Sequence, residues 1–268
     1  MKVWILGSGT LLPDPHRGPP GYWVEVAGGH LLLDCGSGSL RTLARLGLPW
    51  HQVSHVVLSH FHTDHVADLA PLLFALKHSR EPARRETLHI LGPQGLKEHL
   101  EYLAGAHGPY ILDPGFPLHV EEVRPERVRR DPGGSFSIRA FPTFHTDSAL
   151  AYRIESLHGT LGYTGDTGPV EGLAEFLAGS DLLLAECSNP DGEEMDNHLT
   201  PGRLAALARQ ASPKLLVNVH AYPPLDPGVV PDLLRKKGYT GGVRAGCDGL
   251  EIRILPSGVG VRSPASGV

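Results

Sequence analysis

The sequence predicts a layered α/β fold. Three observations carry that reading. Strand-like and helix-like segments are mixed in both halves of the chain. A length of 268 residues with 41% hydrophobic content is ample for a large core. No repeat, low-complexity tract or linker interrupts the pattern, so residues 1–268 are expected to form one domain, with 262–268 as a flexible tail.

The elements follow from local pattern. Lys2–Leu6 reads as a strand ending in a Gly-Ser-Gly-Thr turn, and Tyr22–Val26 and His30–Asp34 as a hairpin joined through Ala-Gly-Gly. Ser39–Leu46 reads as a helix, Val53–Ser59 as a β-branched strand, and Val66–His78 as one amphipathic helix with Pro71 in its first turns. Thr87–Leu91 is a strand and Gln94–Leu103 a helix. In the second half, Leu118–Val123, Phe136–Phe141, Leu150–Ser156 and Gly159–Thr164 are successive short strands. A helix over Val170–Leu177 precedes the strand Asp181–Glu186. Thr200 and Pro201 open a helix as N-cap and first helical residue. Lys214–Val219, a helix near Asp232–Lys237 and a strand at Leu250–Leu255 complete the series.

Composition narrows the function classes. The net charge of −5 gives no support to a protein that grips nucleic acid by bulk electrostatics. The first residues hold too short an apolar run for a signal peptide, and no segment is long enough to span a bilayer, so a cytoplasmic protein without a membrane partner is expected. Cys35, Cys187 and Cys247 lie far apart and form neither a disulfide framework nor a zinc motif. Excess of Arg over Lys and scarcity of Met lean towards a thermophile, a bias that a GC-rich genome would share. The basic run Arg124–Arg130 reads as a solvated loop.

The chemistry concentrates in "LSHFHTDHVADL", Leu58–Leu69. His60, His62, Asp64 and His65 crowd the end of an apolar strand. A loop leaving a strand can aim several short side chains at one point. Imidazole and carboxylate donors suit zinc, manganese or iron.

"HFHTDH" resembles the His-x-His-x-Asp-His signature of the metallo-β-lactamase superfamily. The rest of that pattern follows in order: His145 in "FPTFHTD", Asp166 in "YTGDTG" and His220 in "LLVNVHAY". The resemblance runs over nearly the whole chain. It implies a four-layer αββα sandwich, two mixed β-sheets flanked by helices, with the site on the edge between the sheets. It also implies two divalent metal ions, zinc first and manganese or iron next. His60, His62 and His145 would hold one. Asp64, His65 and His220 would hold the other, and Asp166 would bridge them. Such a pair can share a hydroxide that attacks an electrophile, with Asp64 orienting it. Asp34 is a candidate hydrogen-bond partner for a ligand histidine.

Within the superfamily, the chain is similar to the ribonuclease Z-like phosphodiesterases. "NHLTPGRLAALA" resembles their His-x-Thr motif, which makes His198 a candidate general acid, and "LLLAECS" resembles the strand end whose Glu, here Glu186, pairs with it. Arg17, in a loop that resembles theirs, is a candidate phosphate contact. One departure stands out: bacterial ribonuclease Z carries a tRNA-gripping arm between the third and fourth motifs. Here only 166 − 145 = 21 positions separate His145 from Asp166. A small phosphodiester or nucleotide-like substrate is therefore expected, ahead of RNA 3′-end processing. A homodimer is expected by family analogy alone. Rival readings are hydrolysis of carboxylic esters, thioesters or lactones on the same metals, and an iron-dependent oxidoreductase. The di-iron members usually place Glu where this chain has His62.

Overall fold

Strands whose two faces are both apolar must be covered on both sides, and that requirement organises the molecule. In the computed structural model, which describes residues 1–79, 83–125 and 127–264, successive leucines of such strands enter different cores. Leu31 and Leu33 face a core between two sheets, while Leu32 faces a second core under helices. Leu182 and Leu184 share the inter-sheet core, while Leu183 faces a third core on the far side. The period of two along each strand thus produces four layers, αββα.

The first sheet contains β1 (Lys2–Gly7), β2 (Gly21–Val26), β3 (Gly29–Cys35), β4 (His55–Val57), β5 (Leu88–Gly92), β6 (Leu118–Glu122), β14 (Glu251–Leu255) and β15 (Gly258–Arg262), in the order β15-β14-β1-β2-β3-β4-β5-β6. The second contains β7 (Arg129–Arg130), β8 (Phe136–Pro142), β9 (Leu150–Ser156), β10 (Gly159–Tyr163), β11 (Leu182–Glu186), β12 (Leu215–Val219) and β13 (Gly242–Ala245), in the order β13-β12-β11-β10-β9-β8-β7. Helices α1 (Ser39–Arg45), α3 (Leu69–His78) and α4 (Leu96–His107) cover the first sheet. Helices α5 (Leu173–Phe176), α6 (Pro201–Ala211) and α7 (Val230–Lys236) cover the second. Among the described residues, no helix is long and apolar enough to cross a membrane.

Direction matters more than order for function. Strands β3 to β6 are parallel, and so are β10 to β13. Strand β9 is antiparallel to both β8 and β10, so β8 runs with β10. The carboxyl ends of each group therefore gather on one edge, where loops are free to carry chemistry.

Several expectations need correction. The single helix over Val66–His78 is two: α2 (Thr63–Val66) and α3. The break falls at Asp68, whose amide donates to Cys35 O and whose carboxylate accepts from Leu40 N, which diverts it from the helical ladder. Gly95 and Gly172, both at positive φ, set later starts for α4 and α5 than expected. In the Arg124–Arg130 run, Arg129 and Arg130 pair with β8 rather than lying in a loop. Arg262, assigned to the tail, belongs to β15, residues 263–264 carry no regular structure, and residues 265–268 lie outside the described residues. Strands β13 and β15 are not predicted by the sequence pattern.

Leu184→Ala would open a cavity between the sheets. We expect a loss of about 2–5 kcal/mol in urea unfolding, through a lower midpoint at unchanged slope.

Candidate metal centre

Loops at the carboxyl edge deliver the candidate residues. After β4 the chain passes through Ser59 to His60 and His62, and His62 caps α2, so Asp64 and His65 fall in that helix. His145 follows β8, Asp166 follows β10, Glu186 ends β11 and His220 follows β12. His198 precedes α6, whose start is fixed by Pro201 and by Thr200, which accepts from Arg203 N. Among the described residues, only Asp34 (φ 50°), Ser212 (φ 48°) and His220 (φ 58°) are non-glycine residues at positive φ. Two of these three lie in this cluster, as strain held for a site would place them. Gly165 (φ 56°) lets the turn before Asp166 pack on the turn before His60: a Cβ there would stand 2.8 Å from Ser59 Cβ.

The side chains converge in two groups. Donor atoms of His60, His62 and His145 lie within 4.8 Å of one another, as do those of Asp64, His65 and His220. In the first, His62 Nδ1 is 3.0 Å from His145 Nε2. In the second, Asp64 Oδ2 is 3.3 Å from His220 Nε2 and 3.8 Å from His65 Nε2. Asp166 stands between them. Its Oδ2 lies 4.0 Å from His60 Nε2, 3.7 Å from His145 Nε2 and 3.5 Å from His220 Nε2, and its Oδ1 lies 3.5 Å from His65 Nε2.

Most of these rings are held from behind through Nδ1, which turns Nε2 inward. His65 Nδ1 bonds Asp34 Oδ2 at 2.7 Å, and His60 Nδ1 lies 3.0 Å from Ser59 Oγ. His145 Nδ1 lies 3.1 Å from Asn197 O, and His220 Nδ1 lies 3.1 Å from Ser188 Oγ. His198 Nδ1 is 3.0 Å from Glu186 Oε1. The acceptors are themselves fixed. Asp34 accepts from Ser59 N, Ser59 Oγ and Tyr163 OH. Glu186 accepts from Thr167 N, Ser188 Oγ and Leu199 N. Such support sets tautomer and ring orientation around a metal.

The donor set fits metal ions. His60 Nε2 and His65 Nε2 are buried without a hydrogen-bond partner, a cost that coordination would remove. Asp34, Asp64, Asp166 and Glu186 are buried, and their ion pairs are with histidines alone, no Lys or Arg reaching them among the described residues. Buried carboxylates demand cations. Burial pushes the His60 pKa well below its usual value, which favours the neutral, ligating ring. Burial opposes charge on Asp166, but His220 and His65 outweigh it and keep it ionised.

A cleft of about 620 Å³ opens over the cluster, lined by His62, Asp64, His145, Asp166 and His198 together with Leu11, Met195 and Tyr222. Arg17 is not in its lining. Its guanidinium is committed to Asp14 Oδ2 at 2.8 Å and to Ala221 O at 3.2 Å, and it borders a neighbouring depression with Pro223 and Pro224. The sequence pattern does not mark Ser59, Ser188 or Tyr222 as site residues. The first two lie inside the quoted motifs "LSHFH" and "AECS", and Tyr222 lies two residues beyond His220.

The family model described as the β-lactamase superfamily domain matches residues 30–221. A ribonuclease Z of Mycolicibacterium gilvum is 31% identical over 253 residues, covering 85% of this chain and 86% of that protein. The metallo-β-lactamase fold protein YhfI of Bacillus subtilis superimposes with a TM-score of 0.81 at 24% identity, over 93% of this chain and 98% of its own. The short form of human tRNase Z superimposes with a TM-score of 0.76 at 22% identity, over 95% and 99%.

Asp34→Asn should keep the fold but loosen His65. We expect metal affinity about 10–100-fold weaker in chelator competition, the usual effect of removing a ligand's supporting carboxylate.

Proposed function

The chain belongs to the β-lactamase superfamily, in its ribonuclease Z-like branch, and on that premise we propose that it is a phosphodiesterase whose general acid is His198. It is a metal-dependent hydrolase. The observation that carries the finer reading is the His198–Glu186 pair at the cleft wall. Glu186 occupies His198 Nδ1 and leaves Nε2 for the cleft. Burial opposes charge on His198, but the hydrogen bond to Glu186 outweighs it and raises the pKa, so the ring keeps its proton at a higher pH than an ordinary histidine.

An alkoxide is a poor leaving group from phosphorus. As the P–O bond breaks, His198 Nε2–H gives its proton to the departing oxygen, while the oxygen of a water molecule forms the new bond to phosphorus and releases a proton to solvent, from which His198 is reprotonated. Asp64 orients that water by accepting its hydrogen bond. Two divalent cations held by His60, His62 and His145, by Asp64, His65 and His220, and jointly by Asp166, would supply activated water at neutral pH and offset charge on the phosphoryl oxygens. Zinc suits this imidazole and carboxylate set, and manganese and iron accept the same donors.

A small phosphodiester is the favoured substrate, because among the described residues no Lys or Arg lines the cleft. A second reading, processing of RNA 3′ ends, is favoured by the ribonuclease Z likeness. A gel-shift with precursor tRNA separates the two, because tight, salt-dependent binding would select RNA.

His198→Ala should leave metal content unchanged and lower turnover about 10²–10⁴-fold for a diester with an alkyl leaving group. The loss should be much smaller for bis(p-nitrophenyl) phosphate, whose leaving group needs no proton. Equal losses on both substrates would remove the acid role, and faster opening of lactones or thioesters than of any phosphodiester would select a carboxylic ester chemistry instead.

A further inference from the structure

The cleft has walls of two chemistries. One is the polar cluster. The other consists of Leu11, Pro19, Ala67, Met195 and Tyr222. Leu11 is 58% exposed and Met195 49% exposed, although both are large and apolar. Exposed apolar side chains at the mouth of a polar site mark a surface that something apolar covers.

Three separate loops supply these side chains. Leu11 follows β1, Met195 lies between β11 and α6, and Tyr222 follows β12. Two of them are fixed relative to the site. Met195 O accepts from Arg203 NH1 at 2.6 Å and from His198 N at 3.3 Å, which ties this loop to the candidate acid. Tyr222 N donates to Ser188 O, and its ring centroid stands 5.4 Å from that of His220 and 6.1 Å from that of His198. An ester group placed against these three would lie next to the reacting phosphorus.

Charge around the mouth points the same way. Met195 is flanked by exposed Glu193, Glu194 and Asp196. The cations near the mouth are committed: Arg17 to Asp14 and Ala221 O, and Arg203 to Met195 O and His198 O. Among the described residues no Lys or Arg lines the cleft for a polyanion to pair with, and the carboxylates at its mouth would repel one. A substrate with one phosphoryl charge and an apolar substituent meets complementary walls.

We propose that Leu11, Met195 and Tyr222 form a subsite for a hydrophobic organic ester group, so that the enzyme selects phosphodiester monoanions bearing such a group. The proposal rests on the phosphodiesterase reading above. It is tested with the metal-loaded full chain on two diesters that share one leaving group, methyl p-nitrophenyl phosphate and phenyl p-nitrophenyl phosphate. The phenyl ester should have a kcat/KM at least about tenfold higher, carried mainly by KM. A double variant, Leu11→Ser with Met195→Ser, changes only exposed side chains. It should collapse that preference by raising KM for the phenyl ester while leaving kcat for both esters and KM for the methyl ester in place. A preference that survives the double variant, or equal loss on both esters, overturns the subsite and leaves the phosphodiesterase reading standing. No turnover of either diester overturns that reading and the subsite with it.

Discussion

The rest of the site depends on a buried carboxylate that no lysine or arginine among the described residues meets. Asp166 lies within 4.0 Å of four imidazole nitrogens, and two nitrogens of those rings, on His60 and His65, have no hydrogen-bond partner. Charge of this kind is costly in a protein interior unless a cation offsets it. The sandwich makes the arrangement stable by bringing parallel strands from both sheets to one edge. It is supported outside the cluster by Asp34, Ser59, Ser188 and Glu186, each bonded to a ring nitrogen facing away from the centre.

Much of this architecture was legible in the sequence where a segment carried its own instruction. His30–Asp34 and Asp181–Glu186 are short apolar runs that read as strands, and the structure buries both of their faces between layers. Thr200-Pro201 marks a helix start by capping chemistry alone. Strands β13 and β15 were not legible, because their glycine-rich segments become strands only by pairing with β12 and β14. The helix expected over Val66–His78 reads as continuous until Asp68 finds partners in Cys35 and Leu40, which are distant in sequence.

The site divides in the same way. The dense run from His60 to His65 announces itself, whereas His145, Asp166 and His220 are single residues whose significance came from the order of motifs in a family. The structure gathers all seven. Serines at 59 and 188 gave no signal, since serine is common and their role is to bond ring nitrogens that only the fold brings near. Arg17 looked free because its partners are a carboxylate three residues earlier and a carbonyl at Ala221. In the folded protein it clamps its own loop instead of facing the cleft. The wall above the cluster includes Leu11, Met195 and Tyr222, and exposed Glu193, Glu194 and Asp196 fringe it.

The binding of two metal ions joined through Asp166 is proposed for this edge. Anomalous diffraction from crystals grown with zinc measures it most directly. Two peaks about 3.5–4 Å apart, with Asp166 between them, His60, His62 and His145 around one, and Asp64, His65 and His220 around the other, are the expected result. A single peak, or two peaks that do not share Asp166, would contradict it.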